Sequence, residues 1–538
     1  MGPRVWVLVA LACSLAAQDF RATLNGRITD AQKAALAGAR MVLRDAAKNE
    51  SLVQMADREG NYVFPLIQPG TYELSASHPG FKSSRRGDLT LHVNQVATVD
   101  LQLEIGSTSE QVTVTTDLPL LDVSSGDRGG VIDGKTISEM PLNGRNPFML
   151  ASLVAGVDYN GSLAYQRPFD NGAIAQFGVG GSSQAAEFLI DGVPNNAQAG
   201  TNNIAYVPPV DSVQEFKIQT NAYDAQYGKT AGGVMNAVLK SGTNKVHGSG
   251  YEYMRRNWLD ANSFQNNARG APKDGHSLDQ YGALVDGPII RNRTFFMVNY
   301  ERYHENSPQP LVLSVPAVEM RAGDFSQLKD KAGRQYVIFD PATGALNANN
   351  VFDRAPFPRN VIPSSRINPI ARRIVDHFPL PNTTTAGEDY SQKNLFLSGG
   401  QNPAIDNFYN LVTKVDQNIS ERQRLFVRYT RNDRTETRPT NGVRADQPGV
   451  DGQVPLKRVN DSAVIDWVGN VSASLLFNVR MSFARYVEAS QGTPNEGFDI
   501  TQLGFPKSLQ SQLPYGANFG RYTFASYQSL GRDRKSVV

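Results

Sequence analysis

LLFNVRMSFARY, residues 475–486, alternates with a period of two. Leu475, Phe477, Val479, Met481 and Phe483 share one parity, and Asn478, Arg480, Ser482 and Ala484 share the other. Successive side chains of a strand point to opposite faces, so this segment carries one apolar face and one polar face. Two settings need such a strand. One is a water-soluble sandwich, and the other is a barrel wall with lipid outside and a wet lumen inside. Similar runs lie upstream, separated by polar turns: GSGYEYMRRN (248–257), QYGALVDGPI (280–289) and TFFMVNYERY (294–303). NLVTKVD (410–416) and RLFVRYTR (424–431) have a hairpin pattern. Residues 304–402 interrupt the strands. There Asn368 and Pro369 open a short helix that puts Ile370, Ile374, Val375 and Phe378 on one face.

Composition narrows the class. Of 538 residues, 40% are hydrophobic and 19% charged. That is too apolar for a disordered chain and too polar for a helical membrane protein. Lys+Arg of 53 against Asp+Glu of 51 leaves a net charge of +2, with no basic excess that argues for nucleic acid. No apolar run reaches the ~18 residues of a transmembrane helix. Residues 1–17 form a leader. Arg4 precedes an apolar stretch (5–12), and small residues follow at Ser14, Ala16 and Ala17. This is the layout of a secretory signal peptide cleaved after Ala16 or Ala17. The sole cysteine, Cys13, lies inside it, so the mature chain has no disulfide. Ala10 stands where a lipoprotein signal has Leu, against a lipid anchor at Cys13.

Residues 19–106 read as a small antiparallel domain. LNGRITD (24–30), ARMVLRD (39–45), GNYVFPLIQPGTYELSASHPGF (60–81) and ATVDLQLEIG (97–106) are short alternating strands divided by Pro-Gly and Asp-containing turns. Their order (G-x-I-T-D, A-G-A, D-x-x-G-x-Y-x-F, P-G-x-Y, H-P-G-F) resembles the carboxypeptidase regulatory-like domain. The resemblance implies a seven-stranded, transthyretin-like β-sandwich related to carbohydrate-binding folds. It implies no catalysis. None of His78, His92, His247, His276, His304 and His377 has a Glu three residues on, as a zinc carboxypeptidase needs. We assign no catalytic residue, no metal ligand and no cofactor.

Residues 107–124 read as a linker containing the β-prone run EQVTVTT (110–116), and 125–245 as a second domain. TISEMPLNGRNPFMLASLVAGV (136–157), FLIDGVPNN (188–196) and VDSVQEFKIQTNAYDAQYGKTAGGVMNAVLKSGTN (210–244) resemble three separated motifs of the TonB-dependent receptor plug. Ala155 departs from the family's usual Pro before Gly156. Asp191-Gly192 is a tight turn after an apolar strand, and Gly228, Gly232 and Gly233 permit close backbone packing. DFSQL (324–328), FDPATG (339–344) and residues 360–382 resemble the Oar-like subgroup of these receptors.

The resemblance implies a mainly β protein: a sandwich, a mixed α/β plug, and part of an antiparallel transmembrane β-barrel over 246–538. It also implies an outer-membrane location with the sandwich in the periplasm. Glu110, Gln111, Val112, Thr113, Val114 and Thr115 would couple to a TonB-type protein by strand addition. On the residues alone the same run reads as the last strand of the sandwich or as a linker strand. Gly144, Arg145, Asp191, Gly192, Gly228, Gly232 and Gly233 would be structural or gating residues of the plug. The remaining partners are membrane lipid and an unidentified extracellular ligand, with carbohydrate among the candidates. An alternative is a surface carbohydrate-binding or adhesion protein with Tyr62, Tyr72 and Phe81 lining the sandwich surface.

GGVIDGKT (129–136) satisfies the phosphate-binding loop pattern through Gly129, Gly134, Lys135 and Thr136. Val131 and Ile132 read as strand, and Pro141 ends any helix early, so the nucleotide reading is set aside. We count roughly eight to ten spans after residue 246, short of a plugged barrel's ~22. The expectation is therefore a fragment, or a truncated reading frame, of a longer transporter.

Overall fold

The computed structural model describes residues 19–107, 111–114, 126, 128–161, 167, 168, 176–183, 186–197, 204–221, 226, 227, 230, 232–308, 310–330, 332–399, 404–444, 446–451, 455–472, 475–490, 494–513 and 517–531. The leader, Glu110, Thr115 and Gly228 lie outside them.

The N-terminal strands are β1 (Ala22–Asp30), β2 (Arg40–Asp45), β3 (Glu50–Met55), β4 (Asn61–Ile67), β5 (Gly70–Ser77), β6 (Ser83–Leu91), β7 (Val96–Thr98), β8 (Leu101–Leu103) and β9 (Gln111–Val114). One sheet runs β4-β1-β7 with β8 also on β1, and the other runs β3-β2-β5-β6-β9. Leu24, Ile28, Leu43, Phe64, Leu74 and Leu101 fill the space between them. Gly26 is required by close approach, since a Cβ there would stand 1.9 Å from the Val99 carbonyl oxygen. Tyr62 and Tyr72 are buried, their hydroxyls donating to the Val99 and Gln68 carbonyls. Phe81 is half-buried against the core. This corrects the surface role considered for these aromatics, because alternation turns both tyrosines inward. The linker reading also needs correction. Gln111–Val114 adds to the sandwich, pairing in parallel with residues 83–86 of β6. A Val/Thr run finds unpaired backbone groups on that sheet edge.

The plug contains β10 (Arg128–Ile132), β11 (Val157–Tyr159), β12 (Phe177–Val179), β13 (Ser182–Ser183), β14 (Glu187–Ile190), β15 (Val193–Pro194), β16 (Val213–Asn221) and β17 (Val234–Leu239). A five-stranded sheet runs β10-β16-β17-β14-β15, and β11-β12-β13 form a second. The segment after Arg145 is a 3₁₀ helix, Pro147–Leu153, with Asn146 as its cap. It lays Phe148 against Phe188 and Phe216 at centroid distances of 6.2 and 5.8 Å. Gly129 lies in β10, and Lys135 and Thr136 in the six-residue helix Gly134–Glu139. No phosphate-cradling loop is built there.

Next come β18 (His247–Arg256), β19 (Ser277–Ile290), β20 (Thr294–Asn306), β21 (Leu311–Leu313), β22 (Ala345–Leu346), β23 (Phe352–Asp353), β24 (Leu395–Leu397), β25 (Ile405–Ser420), β26 (Gln423–Thr437), β27 (Leu456–Ser472) and β28 (Leu475–Ser490). Among the described residues, seven of these make one antiparallel meander, β18-β19-β20-β25-β26-β27-β28, rather than the eight to ten spans expected. The shortfall lies after β28. Residues there pack onto the long loops, where Phe498, Ile500, Leu503, Phe519 and Leu530 join Leu313, Val315, Ile374, Phe378, Leu395, Val443 and Val450 in one core. The expected helix is present as Pro369–Val375, capped by the Asn368 side chain.

Register fixes which way each side chain of the meander points. Val298, Thr413, Tyr429, Ala463 and Phe483 form one outward row, and Phe296, Val415, Val427, Ile465 and Met481 the next. On β28, Leu475, Phe477, Val479, Met481 and Phe483 are all exposed. This stripe runs about 27 Å along the strand, or roughly 20 Å of depth at the tilt of a barrel wall. It stops at the row Arg431, Asp461 and Arg485, where Arg431 pairs with Asp461 at 2.8 Å. The opposite faces bury Asn299, Asn410, Lys414, Arg428, Asn460 and Asp466. Ile465→Arg should therefore cost about 2–4 kcal/mol in lipid, and Val459→Arg, beyond the charged row, about 0–1. Denaturant unfolding from vesicles measures both. Equal costs would mean that the outward face does not meet lipid.

Candidate functional site

The inward face of the wall is a stack of polar tiers, and each tier holds a part of the N-terminal domains. The central tier receives the plug's Asp191-Gly192 turn. Ile190 pairs with Val193 across this two-residue turn, and Asp191 and Gly192 have φ of 47° and 71°. Both positive values suit an Asp-Gly hairpin turn. The turn drives the Asp191 carboxylate into the wall, where it is 0% exposed. It meets Arg428 Nη1 at 2.9 Å and Lys414 Nζ at 3.5 Å, side chains 2% and 1% exposed. Arg428 also donates to the Ile190 carbonyl, and the Leu239 amide donates to Asp191 Oδ1. Burial alone would raise the Asp191 pKa. The Lys414 and Arg428 charges and these hydrogen bonds outweigh it and hold the carboxyl below its ordinary range.

Arg145 anchors the plug's Met-Pro-Leu-Asn-Gly-Arg turn. Gly144 has φ of 100°, a backbone that L side chains resist. The Arg145 guanidinium pairs with Asp211 at 2.5 Å, donates to the Tyr253 hydroxyl, and lies 4.3 and 4.6 Å from the ring centroids of Tyr251 and Tyr253. Gly233 has no room for a side chain, since a Cβ would meet Val179 Cγ1 at 2.1 Å. The Gly232 amide donates to Thr230. The named plug residues thus divide by role. Asp191 and Arg145 bind the wall, and Gly144, Gly192 and Gly233 shape the backbone; Gly228 lies outside the described residues.

Sequence reasoning missed the wall's half of these contacts. Lys414 and Arg428 are read from the alternation only as polar positions, and nothing local marks them as partners of Asp191. It also missed the outermost tier. There plug Arg167 pairs with Glu305 at 2.9 Å, Arg434 with Asp406 at 2.6 Å, and Arg438 with Glu436 at 2.7 Å. Arg167, Asp406, Arg434, Glu436, Arg438 and Arg458 line a cavity of about 370 Å³ at the long-loop end of the wall.

The sandwich sits at the other, short-turn end. Arg424 bonds the Leu66 carbonyl, and the Asn244 amide bonds that of Ala47. On the plug side, His92 Nδ1 lies 2.8 Å from Glu215 Oε2. That hydrogen bond and charge raise the His92 pKa above its ordinary value, against partial burial. Among the described residues, no group of three or more His, Cys, Asp or Glu is arranged to hold a metal.

Residues 238–536 match the family model described as outer membrane beta barrel domain, and residues 23–104 match carboxypeptidase regulatory-like domain. A TonB-dependent transporter, Oar, of Myxococcus xanthus is 27% identical over 305 residues, which are 55% of this chain and 28% of that protein. The chain thus spans just over a quarter of this relative. Among solved structures, the siderophore receptor PirA from Acinetobacter baumannii aligns with 67% of this chain and 40% of its own, at 10% identity and TM-score 0.36. The outer membrane transporter YddB from Escherichia coli aligns with 66% and 38%, at 12% identity and TM-score 0.36.

The geometry carries two expected outcomes. Asp191→Ala leaves Arg428 and Lys414 buried without their carboxylate and should cost about 3–5 kcal/mol, read as a lower urea midpoint of the reconstituted chain. An unchanged midpoint would mean the turn is not held by the wall. The His92–Glu215 contact is complete below about pH 6.5 and is lost as pH rises through the raised His92 value. Protease cleavage between sandwich and plug should accelerate from about pH 6 to pH 9. His92→Gln should flatten that profile, and a variant that keeps the full dependence would assign it elsewhere.

Proposed function

The chain belongs to the outer membrane β-barrel family and carries a carboxypeptidase regulatory-like domain, and from that premise we propose that it forms the plug and first wall of a TonB-dependent, energy-coupled transporter. The observation that carries this reading is Asp191, a plug carboxylate buried on two cations of the wall. A domain so placed blocks the lumen until work is done on it. Charges removed from water do not separate spontaneously at low cost, so an external pull is the natural means of opening.

The ligand enters from the long-loop end in this reading. It meets Arg167, Arg434, Arg438 and Arg458 first, each held by a carboxylate. The pull arrives from the opposite end through Glu110, Gln111, Val112, Thr113, Val114 and Thr115. Four of these six form β9, the end strand of the sandwich's five-stranded sheet. An end strand can accept a further strand from a partner through backbone hydrogen bonds, with little dependence on side chains.

Binding of the chain to the periplasmic domain of a TonB-type protein tests the coupling without a known ligand. Val112→Pro removes one backbone donor and fixes φ. It should weaken that binding at least ~10-fold, the loss expected for ~1.4 kcal/mol. Undiminished binding would remove residues 110–115 from the coupling role.

A further inference from the structure

One side chain touches all three parts of the molecule. Arg480 of β28 donates to Asp466 Oδ2 of β27 at 2.6 Å and to the Gly192 carbonyl of the plug at 3.3 Å, and lies 3.6 Å from Asp19 Oδ2, just before the sandwich. Arg21 completes the group, with Nη2 2.5 Å from Asp19 and Nη1 3.1 Å from Asp466. Arg21, Asp466 and Arg480 have side chains no more than 5% exposed. Two carboxylates and two guanidiniums form a neutral cluster, which is what burial of charge demands.

Apolar contacts surround it. Phe20 stands edge-on to Phe426 of the wall with centroids 6.3 Å apart, and Arg480 lies 5.4 Å from the Phe20 ring. Phe20 and Val93 of the N-terminal region, Val193 and Val238 of the plug, and Phe426 and Val464 of the wall form a single buried cluster. Polar bonds extend it on the plug side. The Asn94 side chain donates to the Asp19 carbonyl and to the Tyr227 hydroxyl, and accepts from Asn236.

We propose that the N-terminal sandwich is a latch on the plug: residues 19–21, wedged between the plug and wall residues Phe426, Asp466 and Arg480, hold the plug closed until the sandwich is drawn off. This rests on the transporter reading for the direction of the pull. Because β9 is hydrogen-bonded to β6, a force on Gln111–Val114 loads the sandwich before it loads the plug. Opening is then sequential. The sandwich leaves the cluster, the plug loses its Asp19 and Phe20 neighbours, and the Asp191 contact is the last to yield.

The test uses the full chain in lipid vesicles with Cys13→Ser, so that the only thiol is Val238→Cys inside the six-residue cluster. A membrane-impermeant maleimide is added from the sandwich side. The parent should label slowly, Arg21→Ala at least ten-fold faster, and Arg21→Lys close to the parent. Equal rates in the parent and Arg21→Ala would overturn the latch. So would rapid labelling of the parent. A second chain, Phe20→Cys/Phe426→Cys with Arg21, Asp19, Asp466 and Arg480 unchanged, guards against a misfolded Arg21→Ala. A short bismaleimide, which spans the side-chain gap that the two rings now fill, should cross-link it at rest, and a chain that stays unlinked refutes the docking. Neither measurement needs a ligand or a coupling protein. If Val112→Pro leaves the coupling protein bound while labelling behaves as expected, the coupling role of residues 110–115 fails and the latch stands.

Discussion

Backbone groups facing hydrocarbon have no water to bond, so a chain of this kind can cross only as a paired sheet. That constraint settles most of the architecture. Pairing across seven antiparallel strands leaves side chains as the only variable, and alternation assigns half of them to lipid and half to the lumen. The lumenal half includes ionised groups such as Lys414, Arg428 and Asp466 that end up buried. Buried charge needs a partner: for Lys414 and Arg428 it is Asp191 from the plug, while Asp466 has Arg480 within the wall and gains Arg21 from the segment before the sandwich. The wall is in this sense incomplete as chemistry until the N-terminal domains fill it.

Legibility in the sequence followed the same division. The strands around Phe296, Val427 and Phe483 were readable because a lipid-facing parity is mostly apolar and alternates with a polar one. β27 was not readable. Its lumenal parity holds Val464 and Val468 beside Asn460 and Asp466, and its outward parity carries Asp461, so neither face looks purely apolar or polar. The Asp191-Gly192 turn was legible because an Asp-Gly pair after an apolar run has few other uses. The identity of its partners was not, since Lys414 and Arg428 lie more than 200 residues away and only strand register aims them at the plug. Gln111–Val114 was ambiguous for a physical reason. A short Val/Thr strand pairs with whatever edge is nearest, and the nearest edge is β6.

The tiers also differ in what their breakage would do. The outermost tier is mixed: the Arg438 cation is 45% exposed beside Glu436 and is only weakly held, whereas Arg434 is buried with two hydrogen bonds to Asp406. The central contact is dry and sets the one carboxylate of Asp191 against two cations. Within the outermost tier Arg438 is therefore the cation freest to change partner, while Arg434 is held as firmly as the central contact.

The long loops have a property of their own. Loop 307–404, the β26–β27 connection and the residues after β28 share one core, with His377 4.8 Å from Phe519 and Phe378 5.5 Å from Phe524. The Asn441 side chain bonds both Gly449 and Ser529, tying the second segment to the third. Loops built this way are not independent fingers. A lineage that altered one of them would have to alter its neighbours in step or lose the shared interior, so the outer surface should diversify by exchange of whole blocks rather than by drift of single loops.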